Sequence, residues 1–245
     1  MHREDAEASA RMAEHGVRLL DELLPGGGHR ILTHCNTGSL VSGGEGTAFA
    51  VALAAHRAGA APAAVGGRDA SVAAGRSPDG VRGGRSGMAY TLLTDNAAGS
   101  LFAAGEVDAV LIGADRITAD GSGGEQGGEL SAGGARAVPP LAFIVVAPVT
   151  TVDPDTPDGA SIEVEQRPGH EVTEVVAPQV PVARAAEAGG GIPVAPLGTQ
   201  AYNPAFDVTP PELVAAIVTE EGVVSPVTAE ALAEVCARSR RVTTG

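Results

Sequence analysis

An α/β fold, a mainly parallel sheet with helices on both faces, is the class this sequence predicts. Three observations carry it. Strand-length apolar runs alternate with segments of helical periodicity, the pattern of a parallel sheet. Two of the runs, residues 107–112 and 141–147, are nearly continuously apolar, as strands buried on both faces must be. Glycine-rich turns follow the strands, and 245 residues suffice for one large domain of this kind.

The elements follow in chain order. Residues 4–24 read as a helix, because Ala8, Met12, Val17, Leu20 and Leu24 recur near helical spacing and Pro25 with Gly26, Gly27 and Gly28 ends it. His29-Arg30-Ile31-Leu32-Thr33-His34 is a short strand entering the turn Cys35-Asn36-Thr37-Gly38. A helix is predicted over 47–58, a second strand over 90–94 and a short helix around 97–104. The two apolar runs come next. A helix opening with proline is predicted over 210–219, and a last helix over 228–240. Residues 66–87 carry seven glycines and a proline, so no stable helix is expected there. Residues 177–200 read as a surface loop.

Composition excludes several functions. With 16 basic against 30 acidic residues the net charge is -14, which repels nucleic-acid backbones. Every basic residue is arginine; without lysine there is no Schiff-base or P-loop chemistry. No apolar run nears the roughly 20 residues of a membrane helix. The N-terminus lacks an apolar signal core, so a cytoplasmic protein without nucleic-acid or membrane partners is expected. Cys35 and Cys236 form no Cys-x-x-Cys pair, which gives no support to a disulfide or a zinc site; no metal and no cofactor are predicted.

In such a sheet ligands bind beyond the carboxyl ends of the strands. Cys35 follows the strand ending at His34, and Asp115 follows residues 107–112 through Gly113-Ala114. Gly38 and Gly43-Gly44-Glu45-Gly46 form a turn whose N–H groups suit an anion. Plainer roles fit the same residues. Cys35 serves as a small buried hydrophobe, His34 as a packed imidazole, Asp115 as a helix N-cap ahead of Ile117, and Asp95-Asn96 as the cap of the next helix.

Motifs in order distinguish these readings. Ile31-Leu32-Thr33-His34-Cys35-Asn36-Thr37-Gly38 with residues 43–48 resembles the ILTHCN-(A/T)-G…GG-x-GTA motif of the methylthioribose-1-phosphate isomerases. That family groups with ribose-1,5-bisphosphate isomerases and the regulatory subunits of initiation factor 2B. Thr94-Asp95-Asn96-Ala97-Ala98-Gly99-Ser100 is similar to its TDN-x-AGS segment, and residues 107–117 to its VDAV…GADRI strand. Asn203-Pro204-Ala205-Phe206-Asp207 continues the resemblance, which runs from about residue 10 to 226.

The resemblance implies a Rossmann-like domain over 29–245, with residues 1–28 a helix left from an additional N-terminal domain of longer members. It implies an aldose–ketose isomerase acting on a modified pentose phosphate, with Cys35 and Asp115 as the catalytic pair. Asn36, Gly38, Gly43, Gly44 and Asn96 would contact the small-molecule substrate, and Glu125 and Gln126 stand where the family has a substrate-binding Asn-Lys pair. It further implies a homodimer, with a separate chain as one possible source of the missing domain. Two other functions fit the same scaffold: a specialised biosynthetic paralogue using the Cys/Asp pair for a different reaction on another substrate, and a non-catalytic binding or assembly subunit.

Overall fold

The computed structural model describes residues 2–34, 45–61, 63–67, 87–94, 97–126, 141–175 and 191–242. Among these, the main sheet has seven strands: β1 (Arg30–Thr33), β2 (Ala63–Gly67), β3 (Ala89–Leu93), β4 (Ala109–Ile112), β7 (Ala142–Val146), β12 (Ala216–Thr219) and β13 (Gly222–Val224). Their order is β13-β12-β7-β4-β1-β2-β3, parallel throughout except for the edge strand β13. The predicted α/β class therefore holds.

Alternation along each strand splits the core in two. Ile31, Leu111, Ile144 and Val218 face α1 (His2–Leu23) and α2 (Ala48–Arg57), where they pack with Met12, Leu20 and Val51. Leu32, Val110, Ile112, Phe143 and Ile217 face the other way, toward α3 (Ala98–Ala103) and α4 (Ala229–Val242), packing with Phe102, Leu232 and Val235. All four residues of β4 are buried, which is why its sequence is apolar without a break. Each such aliphatic side chain contributes about 1.5–3 kcal/mol by burial. Gly16 of α1 lies where a Cβ would stand 2.6 Å from the Val51 methyls, so the two helices can approach closely there.

A smaller sheet lies beyond the carboxyl ends of the main strands, in the order β11-β6-β5-β8. Its strands are β5 (Arg116–Thr118), β6 (Gly123–Gln126), β8 (Val152–Asp153) and β11 (Phe206–Thr209). The sequence reading missed this sheet, because strands of two to four residues paired over long separations leave no local pattern. It also missed β2, whose alanines and glycines carry little strand signal.

One prediction is corrected. Residues 210–219 are not a helix. Pro211–Leu213 makes a single 3-10 turn and Ala216–Thr219 is a strand. The run Ile217-Val218-Thr219 is β-branched, and pairing with β7 and β13 buries every residue of the strand. Within the expected loop at 177–200, Ile192–Pro193 pairs with Glu174–Val175 as a two-stranded ribbon. Residues 68–86 and 176–190 lie outside the described residues, and most of the glycine-rich stretch falls there.

Candidate active site

From β1 the chain builds outward through β2 and β3, then crosses to the opposite side for β4, β7 and β12. The crevice beyond the carboxyl ends of β1 and β4 is therefore the topological switch point, where open α/β sheets take ligands. These two strands are direct neighbours, with Thr33 beside Leu111. The helix α2 runs back across them. Its far end reaches the amino end of β1, where the His29 N–H donates to the Ala60 carbonyl at 2.8 Å. Its first turn stands at the crevice, and a methyl on Gly113 would lie 3.5 Å from Thr47 Oγ1.

Asp115 stands at the mouth of this crevice. It caps no helix, since Arg116–Thr118 is a strand. Its backbone N–H donates to the Gly124 carbonyl at 2.9 Å, while Arg116 is paired with the same glycine. Two residues against one is a β-bulge, a device that re-aims side chains beside functional sites. Although Asp115 is exposed on one side, the protein around it desolvates its carboxyl and pushes the pKa above the usual carboxylate value. A carboxyl so shifted keeps its proton closer to neutral pH, as a general acid must.

Around it, β1 ends in Thr33, followed by His34, both buried, and the Thr33 hydroxyl has no hydrogen-bond partner among the described residues. Cys35 follows His34 in the sequence but lies outside the described residues, as do Asn36, Gly38, Gly43, Gly44 and Asn96. Glu125 and Gln126 are described as backbone only at the end of β6, directly after the glycine that accepts from Asp115. Thus Asp115 and the 125–126 backbone come together. The sequence reading did not find Thr47 beside Gly113, the bulge, or the tie between Arg116 and Asp153 at 3.4 Å. Among the described residues no three His, Cys, Asp or Glu side chains converge as a metal ion requires, and no helix is long and apolar enough to cross a membrane.

The sequence pattern of the initiation factor 2 subunit family matches residues 1–226. The chain belongs to that family. Within it, the chain is 39% identical over 232 residues to a methylthioribose-1-phosphate isomerase from Pelotomaculum thermopropionicum, covering 91% of this chain and 56% of that protein. It is 38% identical over 248 residues to one from Desulforamulus reducens, covering 98% and 64%. The chain thus spans less than two thirds of the length of these relatives. Among solved structures it is similar to 5-methylthioribose 1-phosphate isomerase from Pyrococcus horikoshii OT3, with TM-score 0.77 and 30% identity over 97% of this chain and 61% of that one. It is nearly as similar to the delta subunit of translation initiation factor eIF-2B from A. fulgidus, with TM-score 0.75 and 30% identity over 95% and 63%. Family membership and fold agree with the motifs read from the sequence.

Proposed function

We propose that this chain performs aldose–ketose isomerisation of a modified pentose 1-phosphate, with Asp115 as general acid and Cys35 as its partner across the substrate. A sugar 1-phosphate is a locked acetal. Opening it breaks the bond between C1 and the ring oxygen, and that oxygen needs a proton as it leaves. Asp115, desolvated at the switch-point crevice, is the observation that carries this reading. Hydrogen then passes from C2 to C1 while the C2 hydroxyl gives its proton back to the ionised Asp115, leaving a ketone at C2, with Cys35 serving as base or stabilising the transition state. Asn36, Gly38, Gly43, Gly44 and Asn96 would line the substrate, and Glu125 and Gln126 would replace the contacts of the family's Asn-Lys pair. Glu125 puts a carboxylate where the family has its Asn-Lys pair, which weakens the hold on the phosphate, so another chain would share that hold. In the same reading residues 1–28 are an arm from a further domain, residues 29–245 are the catalytic unit, and the chain works as a cytoplasmic homodimer.

The test is turnover of methylthioribose 1-phosphate by the chain, followed by phosphorus NMR, alone and with a supplied N-terminal domain. Ketose should form, and Asp115→Asn should slow it by about 10²–10⁴-fold. Absence of turnover in both conditions would refute the isomerase. The near-equal likeness to the initiation-factor subunit favours one second reading, a non-catalytic binding subunit. That reading expects Asp115→Asn to change nothing but stability. The biosynthetic-paralogue reading predicts turnover of another pentose derivative that the same substitution abolishes.

A further inference from the structure

Next to Asp115 stands a cation that would acidify it. Arg116 is the following residue, and the bulge opposite Gly124 takes the two side chains out of regular strand alternation. A guanidinium within about 4–6 Å of a carboxylate lowers its pKa by roughly 1–3 units. Such a contact would leave Asp115 ionised and unable to donate a proton.

Arg116 reaches elsewhere. Its guanidinium lies 3.4 Å from Asp153 Oδ2 on β8, the strand that runs alongside β5. Asp153 is itself fixed by its turn. Oδ1 accepts from the Asp155 N–H at 3.1 Å, and Oδ2 accepts from the Thr156 hydroxyl at 2.8 Å. The anchor is therefore in place whether or not Arg116 engages it. Among the described residues, the charged and titratable groups on the elements next to Asp115 are Arg116 beside it, Asp153 on β8, His34 just after β1 and Asp207 on β11. Among these, Arg116 carries the one permanent positive charge.

We propose that Asp153 is a positioning residue for the site: by holding Arg116, it keeps that positive charge off Asp115. The inference rests on the reading of Asp115 as the acid. Two observations support it. Burial raises the pKa of Asp115, and among the described residues Arg116 makes no opposing contribution. Asp153 shows the converse, held below the usual range first by the Thr156 hydroxyl and, among lesser causes, by Arg116. The two side chains are 53% and 31% exposed, so the pair adds little to stability. Its effect lies in where it puts the charge.

The experiment is carboxyl-detected NMR titration of the full chain labelled at aspartate, with the Asp115 signal assigned by its loss in Asp115→Asn. Asp153→Asn removes the anchoring charge but keeps an oxygen for the turn. The Asp115 midpoint should fall in Asp153→Asn and return to the wild-type value in Asp153→Asn/Arg116→Gln. If Asp153→Asn does not fold, Asp153→Ser makes the same comparison. An Asp115 midpoint unmoved by loss of the Asp153 charge overturns the proposal. A wild-type Asp115 that already titrates at or below the ordinary carboxylate value overturns the acid reading instead.

Discussion

The strand β4 runs between two aspartates that the fold treats in opposite ways. At its amino end Asp108 is fully engaged. Its Oδ2 accepts from the Arg30 backbone N–H at 2.8 Å and from Nε at 2.9 Å, and its Oδ1 accepts from a terminal guanidinium nitrogen at 2.6 Å. These bonds, first among them the side-chain bond from Arg30, hold its carboxyl below the usual range. At the other end Asp115 is raised by desolvation. One end of the sheet uses its charges to tie β1 to β4, and the other leaves a carboxyl poised for chemistry. Stability and function are separated along a strand of four residues.

The largest effect should come from the carboxyl end. Asp115→Asn should lower turnover by about 10²–10⁴-fold while leaving the fold at least as stable at neutral pH. A loss of turnover explained by unfolding, visible in a thermal melt, would break the contrast. At the amino end, Asp108→Ala leaves the Arg30 N–H without its acceptor. A denaturant titration should then show a loss of about 1–3 kcal/mol, with turnover per folded molecule unchanged.

The two ends should also part in their response to pH. Asp108, with its pKa lowered on folding, contributes stability above the ordinary carboxylate value that is lost as pH falls through its folded-state pKa. Asp115 is raised, so its contribution is complete below the ordinary value and lost as pH rises through its folded-state pKa. Calorimetry across this range should find Asp115→Asn more stable than the wild type above the folded-state pKa of Asp115 and equal to it in acid. The smallest effect is expected at Gly113. Alanine there places its methyl at ordinary contact distance, 3.5 Å from Thr47 Oγ1. It should change stability by no more than about 0.5 kcal/mol in the same melts.

Much of the separation was legible in the sequence, because apolar strands advertise themselves. β1, β4, β7 and the helices α1, α2 and α4 follow from periodicity and end signals, and Asp115 follows from its place after a buried strand. The elements that escaped have physical reasons. Ala63–Gly67 is a strand only because β1 and β3 flank it. Ala216–Thr219 sits behind two prolines that imitate a helix start, and only burial between β7 and β13 decides against that. The bulge at Asp115 and the Arg116–Asp153 tie depend on pairing between distant segments, which no local pattern announces.

The contrast along β4 reduces to two proton affinities, and a carboxyl-carbon NMR titration reads both in one sample. The account predicts Asp108 titrating below and Asp115 above the ordinary aspartate value of about 3.9. An Asp115 that loses its proton at or below that value would contradict it, for the carboxyl end of the sheet would then hold no acid to give.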